Sequence, residues 1–235
     1  MSESKIKNII ICSCSERNLI SEKYIKQLTT ALKKSGIKYH LINDLCYWSA
    51  EKKTDLVSLF DNQKENIIIA CYKRAVTALL NYAGVNKQIK IFDLRNNEPE
   101  EIASNLGIKF NVLDYETVEI PEYDIKEWNA WNPCIDYDRC VHCKKCVDFC
   151  MFNVYSINDN QKVEVTNPKN CKNNCPACAR TCPKTAIIFP KYDKSPINGG
   201  LDSEDEKIGM DPKETFKDIK KELAERNIKK RKLFK

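Results

Sequence analysis

At 235 residues the chain allows one or two compact domains, and no apolar run approaches the roughly 18 residues that a membrane span needs. The opening Met1-Ser2-Glu3-Ser4-Lys5 lacks the charged-then-apolar pattern of a secretory leader, so a cytoplasmic protein with reduced thiols is expected. The formal net charge of +6 arises beyond residue 130: residues 1–130 hold 18 basic and 18 acidic side chains, 131–190 hold 8 and 5, and 191–235 hold 13 and 10. That distribution gives little support to nucleic-acid binding.

Residues 1–108 alternate strand and helix patterns. Lys7 to Cys12 is a short, β-branched apolar run, and Ile25, Leu28 and Leu32 then recur on one helical face between a Ser21 N-cap and Gly36. Ile37 to Ile42 reads as a second strand, followed by a short helix with Leu56, Leu59 and Phe60. Asn66 to Ala70 has the composition of a strand buried on both faces, and a helix through Ala75, Leu79 and Tyr82 stops at Gly84. A fourth strand, Gln88 to Asp93, leads to a helix start at Pro99. Such alternation predicts an α/β domain with a parallel sheet of Rossmann/flavodoxin-like type. The turn after the first strand, Cys12 to Arg17, has no glycine, and neither G-x-G-x-x-G nor a Walker loop occurs, so dinucleotide binding is disfavoured.

Sulfur marks the strand ends instead. Cys12 and Cys14 end the first strand, Cys46 lies just beyond the second, and Cys71 ends the third. A 2-1-3 strand order, which right-handed crossovers commonly produce, brings these four thiols to one edge of the sheet as a third metal site, for either a [4Fe–4S] cluster or zinc. The alternative is that Cys12 and Cys71 are small buried hydrophobes. The pattern Ile11-Cys12-Ser13-Cys14, Leu45-Cys46 and Ile69-Ala70-Cys71-Tyr72-Lys73-Arg74 resembles the N-terminal domain of the large flavoprotein component of heterodisulfide reductase, over roughly residues 5–95. That family passes electrons among iron–sulfur clusters, so the resemblance implies a part in an electron-transfer assembly. The glycine-rich flavin segment of that family is absent here, and no flavin is implied.

Residues 109–133 read as a linker arm, with Val112, Tyr115, Val118, Ile120, Tyr123, Trp128 and Trp131 suited to packing between domains. Cys134 follows, read as a buried thiol without a ligand role. Two cysteine runs come next: Cys140, Cys143, Cys146, Cys150, and then Cys171, Cys175, Cys178, Cys182, each closing with C-x2-C-x3-C. A four-iron cube needs four thiolates, and in the two-cluster arrangement the last cysteine of each run serves the other cube. Cys140, Cys143, Cys146 and Cys182 are therefore assigned to one [4Fe–4S] cluster, and Cys171, Cys175, Cys178 and Cys150 to a second. Spread over two such runs, eight thiols suit cubes better than the four-ligand tetrahedron of zinc.

These residues resemble the dicluster bacterial ferredoxins from Cys134 to Pro190, an α+β domain whose ending Cys182-Pro183-Lys184-Thr185-Ala186-Ile187 matches closely. Met151 stands where that family has proline, and the second run opens with C-x3-C. Asn153–Ile157 and Gln161–Val165 read as a hairpin, and Ala186–Phe189 as a further strand. Val141, Phe149, Val154, Ile157, Ile187 and Ile188 are expected to wrap the clusters, and His142 to be exposed or hydrogen-bonded to sulfur.

Residues 191–235 are expected to form a charged linker and a basic helical tail with Phe216, Ile219 and Leu223 on one face. The sequence thus predicts a carrier of single electrons between a reductase and an acceptor enzyme, within a redox complex rather than as an independent catalyst. Two alternatives stand beside it: an iron–sulfur oxidoreductase acting on a disulfide or thiol at the N-terminal cysteines, and a zinc protein using its basic tail on nucleic acid.

Overall fold

The computed structural model describes residues 7–14, 17, 19–113, 115–116, 119 and 128–200. The expected tail helix with Phe216, Ile219 and Leu223 lies outside these, as do Val118, Ile120 and Tyr123 of the arm.

Four strands, β1 (Lys7–Cys12), β2 (Tyr39–Ile42), β3 (Glu65–Ala70) and β4 (Ile89–Asp93), form one sheet in the order β2-β1-β3-β4. Every pairing is parallel, with Cys12 opposite Ile42 and Ile11 opposite Ile69. Parallel strands need helical crossovers, which cover both faces and make the central strands apolar throughout. The isoleucine runs of β1 and β3 meet that requirement by alternation. Ile9, Ile11, Ile67 and Ile69 pack beneath α1 (Glu22–Lys34) and α5 (Pro99–Leu106). Ile10 and Ile68 face α2 (Leu45–Glu51), α3 (Lys53–Ser58) and α4 (Lys73–Ala83). Helix α4 ends as read from sequence, on Gly84 at φ 83°, a left-handed cap that favours glycine.

The single helix expected around Leu56 is divided. Lys52 leaves helical geometry at φ −122°, ψ 43°, and Leu59 and Phe60 fall beyond the second piece. Ser21 holds the N-cap position of α1 but makes no side-chain capping bond.

The cysteine-rich half is built of small pieces around its own core. Strand β5 (Cys134–Ile135) pairs antiparallel with β8 (Ile187–Ile188), and β6 (Tyr155–Ile157) pairs with β7 (Val163–Val165) as the expected hairpin. Two one-turn helices, α6 (Lys145–Phe149) and α7 (Ala177–Thr181), carry the cysteine runs.

The two halves are closely joined. Arg74 of α4 is 6% exposed and makes a 2.7 Å ion pair with Asp136, while donating also to the carbonyls of Thr185 and Pro196. Trp131 of the arm is buried, stacked on Phe189 at 5.3 Å between ring centres. The side chains of Val112 and Tyr115, by contrast, are exposed, although the Val112 carbonyl accepts from Gln27 at 2.6 Å and the Glu116 N–H donates to Thr30 at 2.9 Å. Residues 191–200, expected to begin a charged linker without a core of its own, close against the N-terminal half. Ile197 and Asn198 are buried, and a Cβ on Gly199 would lie 2.7 Å from that of Ala75.

Candidate metal centres

The eight thiols of the two runs ring two separate cavities. One is lined by Cys140, Cys143, Cys146 and Cys182, together with His142, Lys144, Lys145 and Lys184. The other is lined by Cys150, Cys171, Cys175 and Cys178, beside Phe149, Met151, Phe152 and Tyr155. The last cysteine of each run thus stands with the other run's first three. Local geometry explains the exchange. Cys150 and Cys182 each follow a one-turn helix as its C-cap, in nearly the same extended conformation (φ −82°, ψ 100° and φ −76°, ψ 114°), which carries the chain away from its own loop. Cys171, opening the wider C-x3-C spacing, lines the second cavity with the rest.

Within the loops, His142, Lys144 and Asn174 take positive φ of 51°, 65° and 58°. Such left-handed residues are sparse outside glycine, and they turn short loops around a concave point. Donors reach the sulfurs. The Tyr155 hydroxyl donates to Cys178 Sγ at 3.0 Å and the Ala186 N–H to Cys182 Sγ at 3.3 Å. His142 Nδ1 accepts from the Val163 N–H at 3.0 Å, which places the proton of the neutral ring on Nε2, and Nδ1 stands 3.7 Å from Cys140 Sγ.

Burial pushes the Cys146 thiol up to about 11 and those of Cys171 and Cys178 up to about 12. Thiols in apolar surroundings stay protonated unless a metal ion takes the proton's place. The sets surround space rather than a point: among the described residues, no three His, Cys, Asp or Glu side chains are grouped to hold a single ion. Val154, Ile187 and Ile188 are buried as expected, but Val141, Phe149 and Ile157 are exposed at 59%, 53% and 39%. Val141 nonetheless lines the first cavity and Phe149 the second, whereas Ile157 lines neither.

The N-terminal thiols also converge. Cys12 Sγ lies 3.5 Å from Cys14 Sγ, and hydrogen bonding to Cys12 and Cys71, with burial, pushes the Cys14 thiol well above its ordinary range. Burial raises Cys46 as well, and charge on Asp44, Cys71 and Cys12 adds to it. The Leu45 N–H donates to Cys12 Sγ at 3.2 Å. The parallel register accounts for this meeting: β2, β1 and β3 run side by side and finish at one edge, where Cys14 turns back at φ 48°.

Sequence reading missed the groups around this site. Asp44 caps α2, accepting from the N–H groups of Cys46 (2.8 Å) and Tyr47 (3.2 Å), a role its position before Leu45 could have signalled. Lys191, 6% exposed, makes a 2.6 Å ion pair with Asp44 and donates to the Asn129 carbonyl at 2.7 Å. Nothing in the sequence pairs Lys191 with Asp44. Burial pushes the Lys191 ammonium down to about 7, and charge on Cys14 and Cys12 acts the other way. The arm that Lys191 holds is unusual. Among the described residues, the buried Trp128 Nε1, Asn129 Oδ1, Trp131 Nε1 and both side-chain polar atoms of Asn132 have no hydrogen-bond partner.

Fold and thiol sets together mark the cysteine-rich half as an iron–sulfur domain of ferredoxin type. The family described as "4Fe-4S dicluster domain" matches residues 132–211. An uncharacterized ferredoxin of Methanocaldococcus jannaschii is 48% identical over 62 residues, which is 26% of this chain and 42% of that relative. Ferredoxin-3 of Nostoc is 31% identical over 77 residues, covering 24% of this chain and 78% of that one. The chain belongs to the ferredoxin family through this domain. It spans less than half the length of the Methanocaldococcus relative. Among the described residues, no helix is long and apolar enough to cross a membrane.

Proposed function

We propose that the chain passes single electrons between a reductase and an acceptor enzyme in a redox complex, through two [4Fe–4S] clusters and a third centre in the N-terminal half. The first cluster is held by Cys140, Cys143, Cys146 and Cys182, the second by Cys150, Cys171, Cys175 and Cys178. The observation that carries this reading is the exchange of Cys150 and Cys182 between the two cavities, the arrangement that two cubes require and two independent zinc sites do not. The protein's part is to supply thiolates, exclude water and donate hydrogen bonds to sulfur, as Tyr155 and the Ala186 N–H are placed to do.

The third centre, a [4Fe–4S] cluster on Cys12, Cys14, Cys46 and Cys71, is supported by their mutual contacts and by the likeness to the flavoprotein component of heterodisulfide reductase. The sheet order agrees with the first four strands of a flavodoxin-like domain, read here as residues 1–108, joined by an arm to a dicluster domain over 134–190 and a tail beyond. A cytoplasmic setting fits thirteen cysteines that are all unpaired. A disulfide-exchanging enzyme fits less well. Its nucleophile would have to be an accessible, readily ionised thiol, whereas Cys12 is fully buried and Cys14 is raised.

Analysis of the anaerobically purified chain tests the scheme. About twelve irons and twelve acid-labile sulfides per chain are expected. About eight of each leaves only the dicluster pair, and iron-free protein carrying zinc overturns the whole reading.

A further inference from the structure

We propose that Lys191 is the positioning cation of the N-terminal thiol site, offsetting the negative charge of a centre on Cys12, Cys14, Cys46 and Cys71 and thereby raising its reduction potential. The inference rests on the third-centre reading and goes beyond it by assigning a residue from the other half of the chain.

Charge placement carries the argument. Four thiolates around a cube in its oxidised form leave about two negative charges, and the Asp44 carboxylate adds another nearby. Lys191 is a buried cation paired with that carboxylate. Its side chain is 5% exposed, that of Asp44 3%, and their nitrogen and oxygen are 2.6 Å apart. Asp44 in turn accepts from the Cys46 N–H at 2.8 Å, and the neighbouring Leu45 N–H donates to Cys12 Sγ at 3.2 Å, so the ammonium stands one residue's reach from the thiol set. If the ion pair served only to fasten residues 191–200, packed apolar groups would do as well, because a buried pair gains little over a hydrophobic replacement. A cation beside the thiols does what an apolar group cannot. On taking up one electron from dithionite such a centre would gain one negative charge, and the ammonium form of Lys191 would stabilise the reduced form more than the oxidised.

Lys191 also anchors the arm. By donating to the Asn129 carbonyl it holds the arm on which Trp128, Trp131 and Asn132 keep unpartnered buried donors.

The test is a redox titration of the anaerobic full-length chain, monitored by electron paramagnetic resonance, in wild type, Lys191→Met, Lys191→Gln and Lys191→Arg. The N-terminal signal is identified as the one that Cys71→Ser removes. In Lys191→Met that signal should titrate about tenfold further toward the oxidised side, some 59 mV more negative for one electron, with the dicluster signals unmoved and Lys191→Arg near wild type. If Lys191→Met sheds N-terminal iron, Lys191→Gln decides, since it keeps a donor for Asn129 without the charge. A retained centre at the wild-type potential in either variant overturns the role of Lys191. A wild-type chain with about eight irons and no third signal overturns the third centre itself.

Discussion

The dicluster region and the N-terminal sheet edge gather sulfur by opposite means. Between Cys140 and Cys182 the thiols sit on two short loops and the caps of two one-turn helices, so spacing along the chain fixes where they go. At the sheet edge, Cys12 and Cys14, Cys46 and Cys71 belong to the ends of three different strands and meet only because β2, β1 and β3 lie side by side. The first kind of site is written locally. The second is a property of the fold, and it depends on everything that keeps the strand ends together.

Removing ligands breaks the comparison most sharply. Cys150→Ser should empty the second cavity and spare the first, although Cys150 belongs to the first run, with a loss of about four irons and one of the two dicluster resonance signals. If it instead abolishes the signal that Cys146→Ser abolishes, the crossed assignment is wrong. Cys71→Ser should take about four irons from the sheet edge and leave both dicluster signals intact.

Arg74→Met addresses the join between the two regions. The guanidinium is buried against Asp136 and bonds two carbonyls from the cysteine-rich half, so its loss leaves a nearly buried carboxylate with Arg139, 3.5 Å away, as its neighbouring cation. Breaking one side of such a pair costs about 3–5 kcal/mol, and the lower figure is expected because Arg139 remains. The measurement is the urea midpoint of the anaerobic chain at matched iron content. An unchanged midpoint would mean that the halves are stabilised independently.

What could be read without coordinates follows the same division. The isoleucine runs of β1 and β3 announce buried strands, Gly84 announces a helix end, and the spacing of the two cysteine runs points to a crossed grouping of thiols around two cavities, because each signal lies within a few residues. The pairing of β5 with β8 escaped notice, since two residues around Cys134 are too few to show a period. Lys191 escaped for a stronger reason. A lysine followed by Tyr192, Asp193 and Lys194 has the composition of a solvated segment, and only tertiary packing brings it onto Asp44, two residues before Cys46 of the distant sheet edge. Val141 and Phe149, read from the cysteine runs as part of the shell around the thiols, do line the two cavities, though their side chains are half exposed.

The mildest expected change is also the finest discriminator. Cys134 is fully buried on β5, in the same core cluster as Cys46 and Cys71, and its Sγ lies 3.6 Å from the Ile188 carbonyl. Charge on Cys71 acts on Cys134, and charge on Cys134 acts on Cys46, so it stands beside the N-terminal set without belonging to its strand ends. Four ligands already complete a cube, and Cys134 has a carbonyl partner for its thiol proton, which a ligand could not keep. Cys134→Ser should therefore leave the iron content unchanged. The smaller hydroxyl loses some packing but donates better to the Ile188 carbonyl, so stability should move by no more than about 1 kcal/mol. Iron analysis and the urea midpoint measure both. A loss of about four irons would make Cys134 a ligand in place of one of the four, and the N-terminal centre would then be shared between the two halves of the molecule.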